Sequence, residues 1–354
     1  MKRILMAHRV RGLSLVELLV ALVIGLVLML GLVQVFAASR AAYQLSEGIS
    51  RAQENGRFAM DFLQRDIRMA GHFGCTNDQA RRQASEDFHS HFTAGGVLDF
   101  GFSIRGYENA APTGITLNPA RINGTDSIVL RFLTGNGVPV LNVDSSNPGA
   151  PFIDVAAARW STLQEGGVSN PRLFGISDCR RVDVFAAANV NPGSGRVTAP
   201  AGVDLLYGTS PEGGPAMLYR AEAVVYYIGN GTGGQPSLWR ARINHDGSLT
   251  SEELVEGIEN LQFRYGIDRN PATDPTGFMA TQGAATDVGS SDLEWRRVGQ
   301  VQVALLASSP RPAGSAQATS QPTLLGTAVS AADDGRYRAV YETTIALRNR
   351  LYGN

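Results

Sequence analysis

From Leu18 to Val33 the chain carries no polar side chain, and across residues 13–38 only Ser14, Glu17 and Gln34 interrupt the apolar run. A helix needs about 20 such residues to cross a bilayer, so this stretch predicts a membrane span. Beyond it the pattern turns periodic. Ile49, Ala52, Gly56, Met60, Leu63, Ile67 and Ala70 recur at three- and four-residue steps, the spacing of one apolar face on a helix. Arg51, Arg57, Arg65 and Arg68 fall off that stripe and predict a solvated face. No proline occurs before Pro112. A single helix from Leu13 to Ala70, about 85–90 Å long, is therefore expected. Gly71 and Gly74 are its expected stop.

After residue 71 the period changes. Ser127–Leu133 and Val182–Ala187 read as short strands. The stretches 72–125, 134–176 and 188–215 are dense in turn formers. From Met217 the strand signal strengthens through MLYRAEAVVYYIGN and SLWRARINHDGSLTSEELVEGIENLQFRYGID. His245-Asp246-Gly247 marks a tight turn there. Val298–Ala307 and Tyr337–Arg348 are the last expected strands, flanking a Pro/Ser/Gln-rich loop at 308–322. Helix first and antiparallel strands afterwards is an α+β order. It predicts a long N-terminal helix packed on a β-rich head, with a large loop-rich insertion.

Composition narrows the chemistry. The formal net charge is −1. Lys2, Arg3, Arg9 and Arg11 all lie in the first twelve residues, so the remainder is weakly acidic and offers no footprint for nucleic acid. Lys2 is the only lysine, which removes P-loop and Schiff-base chemistry. No Gly-x-Ser-x-Gly or His-Glu-x-x-His motif occurs. The positive charge before the apolar run, with only Arg40 close behind it, puts the N-terminus in the cytoplasm and the body outside. Outside the cytoplasm, Cys75 and Cys179 are expected to pair; the alternative is two buried thiols.

Three readings of the N-terminal segment compete. A cleaved secretory signal has a shorter apolar core than this one. A plain signal anchor leaves Gly12 and Glu17 without a role. The third reading rests on Gly12-Leu13-Ser14-Leu15-Val16-Glu17 behind a basic leader. That arrangement resembles the class III leader of type IV prepilins and pseudopilins. The tail resembles PilW-type minor pilins in GIENLQFRYGID, QVQVALLASS and YRAVYETTIALRNR.

The resemblance implies that prepilin peptidase cuts between Gly12 and Leu13, that Leu13 is N-methylated, and that Glu17 sets register against a neighbouring subunit during assembly. An acid inside a membrane helix is costly and usually functional, although Ser14 and Glu17 also fit a helix capping box. The absence of a proline within residues 13–38, common in major pilins, departs from the family pattern. The implied organisation is a leader (1–12), a membrane or filament-core half (13–38), an amphipathic half (39–71), an insertion or second lobe (72–216) and a β-sheet head (217–354). The implied partners are prepilin peptidase, other minor pilins, the major pilin, a tip adhesin and, before assembly, the inner membrane.

Candidate chemistry elsewhere is thin. His72, His89 and His91 with Cys75, Asp78 and Asp87 could form a metal cluster, against surface histidines in a loop. Asp268-Arg269-Asn270 begins like a calcium loop but lacks its glycine and closing glutamate. Asp333-Asp334-Gly335 reads as a turn. The expected role is a minor pilin that primes pilus assembly and sits at the tip, without catalytic residue, metal or cofactor. The alternatives are a J-type minor pseudopilin of type II secretion and an anchored periplasmic enzyme or binding module.

Overall fold

A computed structural model describes residues 14–75, 87–203, 205, 207, 215–268, 270, 276–313 and 321–350. Helix α1 (Leu15–Met69) is continuous over 55 residues, about 82 Å. Its start follows from Ser14, whose hydroxyl accepts from the Glu17 amide at 3.2 Å. Glu17 in the first turn and Arg68 in the last suit the helix dipole. The helix stops one residue short of expectation, at Met69, and Gly71 then takes a φ of 78°. Arg51, Arg57, Arg65 and Arg68 are exposed, as the stripe implied.

The strands are β1 (Phe88–Ser90), β2 (Ile104–Tyr107), β3 (Ser127–Leu133), β4 (Val138–Asp144), β5 (Phe152–Val155), β6 (Leu173–Ser177), β7 (Val182–Ala186), β8 (Asn189–Asn191) and β9 (Arg196–Thr198). They continue with β10 (Met217–Asn230), β11 (Pro236–Ile243), β12 (Leu249–Glu256), β13 (Ile258–Asp268), β14 (Met279–Gly283), β15 (Val298–Pro312), β16 (Thr323–Leu324), β17 (Thr327–Ala328) and β18 (Arg336–Ala346). The α+β order holds. The stretches read as turns carry more strand than expected. β1 and β2 lie within 72–125, β4, β5 and most of β6 within 134–176, and β8 and β9 within 188–215. β15 runs on to Pro312, past a register shift after Ser308, with its last three residues exposed. Proline is tolerated at such an edge because no ladder donor is needed there.

β10 is the spine of the larger, 12-stranded sheet. Its first residues pair with β6 and β4, and its later ones with β3 and β11. A second sheet, in the antiparallel order β14-β13-β15-β18, forms the other layer. The second half of α1 lies between the two. Ala59, Met60, Leu63 and Ile67 share one core with Ile128, Leu130, Val224 and Tyr226 of the larger sheet and Leu261, Phe263, Val301 and Val303 of the smaller. The opposite face of the larger sheet carries its own core around Phe73, Phe100, Val225 and Tyr227. A third core, around Phe174, Phe185 and Leu218, lies beneath β4, β5 and β9.

Candidate functional site: the leader helix and its seat in the head

The two halves of α1 differ sharply in burial. Every large apolar side chain from Leu15 to Phe36 is more than half exposed, from 52% at Leu18 to 76% at Leu15. This is the one stretch among the described residues long and apolar enough to cross a membrane. Gly12 and Leu13 lie outside the described residues. Glu17 is exposed at the start of the apolar run. Half of the expected capping box forms: Ser14 accepts from the Glu17 amide. The Glu17 carboxylate itself has no hydrogen-bond or ion-pair partner among the described residues.

Burial begins at Gly48, where an added Cβ would lie 3.0 Å from the Ala313 Cβ. The helix then enters the head through small residues: Ala52, Gly56 and Ala59 are buried. Gly56 lies directly under the Tyr341 ring of β18. Polar clamps flank this seam. Asn55 donates to the Glu256 carbonyl at 2.9 Å, Gln64 to the Thr343 hydroxyl at 3.3 Å, and Asn349 to the Arg68 carbonyl at 2.9 Å.

The strongest clamp was not foreseen. Asp66 stands on the buried face, 5% exposed. The Tyr226 hydroxyl donates to its Oδ2 at 2.6 Å, and Arg240 Nη1 donates to the same oxygen at 3.1 Å. Arg65 Nε donates to Oδ1 at 3.2 Å. Arg240 also pairs with Glu252 across β11 and β12. Burial, followed by the Asp66 charge, pushes the Tyr226 phenol well above its ordinary pKa. Burial alone would lower the Arg240 guanidinium, but Tyr226, Asp66 and Glu252 outweigh it and hold it above its ordinary value. The network fixes α1 against the larger sheet at one rotational and axial position. An acid at i in a stretch full of arginines and acids carries no sequence signal for this.

Below α1 the chain is tied again. Cys75 and Cys179 form a disulfide with a Cα–Cα distance of 5.0 Å, joining the helix exit to the turn between β6 and β7. Ser177 Oγ donates to the Phe73 carbonyl at 2.9 Å beside it. Gly71 and His72 exchange backbone bonds with Arg131 and Leu133 at the end of β3.

The candidate metal ligands separate. His89 and His91 do turn to one side, with ring centroids 6.1 Å apart. Both face Asp183 of β7: His91 Nε2 lies 2.8 Å and His89 Nδ1 3.4 Å from Oδ1. The other oxygen accepts from Tyr207 at 2.6 Å and faces Arg181 at 3.5 Å. Asp183, which carried no sequence signal, thus has one hydrogen bond on each carboxylate oxygen, from His91 and from Tyr207. His72 instead packs edge-on against Tyr219, and burial pushes its imidazole pKa down. Asp78 lies outside the described residues, among which no group of three or more His, Cys, Asp or Glu could hold a metal.

The calcium-like carboxylates are occupied in the same way. Asp268 accepts from the amides of Asn270, Thr276 and Gly277 and from the Thr276 hydroxyl, all within 2.9 Å. Asp334 pairs with Arg338 and Arg336.

A bare apolar helix that continues as an amphipathic half beneath an antiparallel head is the build of a pilin-type subunit. Residues 7–33 match the prokaryotic N-terminal methylation motif, and residues 225–349 match the type IV pilus-assembly protein W. Together the two matches are those of a type IV minor pilin of the PilW family. Pilin families are structural assembly proteins rather than enzymes, and the leader implies processing and assembly with other pilus components. Comparison with curated proteins and with solved structures gave no match.

Proposed function

We propose that this minor pilin is cleaved between Gly12 and Leu13 by prepilin peptidase, methylated at Leu13, and joins other minor pilins to prime a type IV pilus. The observation that carries this reading is the bare half of α1. A monomer does not leave so many apolar side chains in water. The head has cores of its own, and among the described residues none covers this half of the helix. Lipid covers them before assembly, with the N-terminus cytoplasmic and the head periplasmic. Neighbouring helices cover them afterwards.

Glu17 remains unpartnered until a neighbour supplies a positive group, and a methylated α-amino group at Leu13 is of the right sign. On this reading the chain divides into leader (1–12), filament-core half (13–38), amphipathic half (39–71), second lobe (72–216) and β-sheet head (217–354). The breadth of a head built on two sheets suits the tip, where lateral crowding is least, and supports contact with the major pilin below and a tip adhesin above. Its role is assembly, not catalysis.

The test is N-terminal mass spectrometry of the chain purified from its own membranes. A methylated Leu13 is expected. An intact Met1 or a start near Ser39 overturns the reading. Deleting the gene should reduce surface pili; normal pili with lost secretion of folded enzymes would favour a pseudopilin.

A further inference from the structure

Where α1 leaves the head, a groove of about 600 Å³ opens between the helix and the exposed end of β15. Arg40, Tyr43, Glu47 and Arg51 line one wall, and Arg311 and Glu256 line the other. Arg40 and Arg311 are exposed and make no ion pair with a described residue. Tyr43 is 70% exposed. We propose that this groove holds the headgroup of an anionic phospholipid in the outer leaflet of the inner membrane while the subunit awaits assembly. The proposal rests on the membrane orientation given above.

Height along the helix is the first argument. The apolar run ends at Ala38. At 1.5 Å per residue, Arg40 lies about 3 Å and Tyr43 about 7–8 Å beyond it. The headgroup layer is about 5–8 Å deep on each side of the hydrocarbon. Gly48, the first buried residue of the helix, lies about 15 Å beyond Ala38. The groove therefore starts within the headgroup layer and ends above it.

Chemistry is the second. Two unpaired guanidinium groups come from separate segments, one on α1 and one at the end of β15. Guanidinium forks suit phosphate oxygens. Tyr43, at the outer edge of the headgroup layer, suits the interface, with its ring toward the hydrocarbon and its hydroxyl in water. Arg51 is engaged by Glu54 at 3.7 Å, which leaves Arg40 and Arg311 as the cations of the groove without an ion pair among the described residues. β15 would thereby serve the membrane-bound subunit as a prop, setting the distance between head and bilayer.

The experiment uses the full chain reconstituted in vesicles of phosphatidylcholine, alone or with about one-third phosphatidylglycerol, an anionic lipid that draws basic residues to the surface. Native mass spectrometry after mild extraction counts the lipids retained. Wild type should retain phosphatidylglycerol preferentially. Arg40→Gln and Arg311→Gln should each lower that preference about fivefold, the effect of one basic residue at an anionic surface. Both positions are exposed, so circular dichroism and thermal midpoint should stay those of wild type. Equal retention of the two lipids by wild type overturns the proposal. So does an unchanged preference in the folded double variant; if that variant also enters pili poorly, the groove belongs to a neighbouring pilin. Alkaline carbonate releasing wild type from the vesicles would sink the membrane reading itself, a failure distinct from loss of lipid preference.

Discussion

The ring of Tyr341 occupies the space that a side chain on Gly56 would need: a Cβ there would lie 2.3 Å from the Tyr341 Cε2. The last long strand of the chain thus lies flat on the middle of its first helix. Alanine is the better helix former by about 1 kcal/mol, so propensity alone would favour Gly56→Ala. Overpacking a tight contact costs about 1–3 kcal/mol, and here the obstacle is a ring held between sheet and helix. Gly56→Ala is therefore expected to lower the urea midpoint of the head, and Tyr341→Ala in the same chain to recover part of the loss. A midpoint at or above wild type for Gly56→Ala would show that the ring moves aside freely.

Asp66 is the second pin. Asp66→Ala leaves the Tyr226 hydroxyl without its acceptor and the Arg240 charge half-compensated in a buried site. Breaking one partner out of a buried ion pair costs about 3–5 kcal/mol. Tyr226→Phe removes only a hydrogen bond, worth about 1–1.5 kcal/mol. The double variant should be less destabilised than the sum of the two singles, since both act through one carboxylate. Additive losses in chemical unfolding would mean that the three groups do not act as a unit.

These two pins mark the boundary of what the chain reveals in one dimension. The apolar run, the helical stripe and the strand signal from Met217 onward are local patterns, and each produced the element it implied. Gly56 was legible as part of the stripe, but its partner is 285 positions away and carries no local mark. Asp66 sits among exposed acids and arginines and differs from them only in what packs above it. The long β10 hides its own pattern. Its burial runs unbroken from Leu218 to Gly229 because α1 covers one face and the segment around Phe73 and Phe100 covers the other. Arg220 and Glu222 are buried within it as a pair. Short strands such as β8 and β9, held by a Gly/Pro turn, are too brief for any period to show.

The disulfide spans a sequence separation of 104 residues. On the chain-entropy account, closing a loop of that size stabilises by about 4–5 kcal/mol. Cys75→Ser with Cys179→Ser should lower the unfolding midpoint accordingly, and most strongly for the β1, β6 and β7 region that the bond tethers. A thiol count in denaturant without reductant checks the pairing. Two reactive thiols in protein purified without reductant from its own membranes would reject it.

Asp268 links stability to acid pH. Burial would raise its pKa, but hydrogen bonds from Asn270, Thr276 and Gly277 outweigh it and hold the carboxyl below its ordinary value. A carboxylate with a depressed folded pKa contributes stability above its unfolded value of about 3.9 and loses it as pH falls through the folded one. Asp268→Asn should therefore be less stable than wild type at neutral pH. The gap between them should close as urea unfolding is repeated down to about pH 3. A gap independent of pH would assign the effect to packing rather than charge.

Glu17 separates a structural from an assembly role most cleanly, because its two possible jobs use different atoms. The cap uses its backbone amide, which donates to Ser14 at 3.2 Å. Any substitution except proline keeps that amide. Glu17→Ala should therefore leave the start of α1, the stability of the head and leader cleavage unchanged. The carboxylate has no partner among the described residues, yet burying it in lipid or in a filament core costs several kcal/mol unless a cation meets it. If the Leu13 amine of a neighbour is that cation, Glu17→Ala should be cleaved normally, accumulate in the membrane and be scarce in sheared pili. Ser14→Ala serves as the reciprocal control: it removes the cap, worth about 1 kcal/mol, and should leave incorporation intact. Wild-type pilus content for Glu17→Ala would confine Glu17 to its backbone role and remove the register argument altogether.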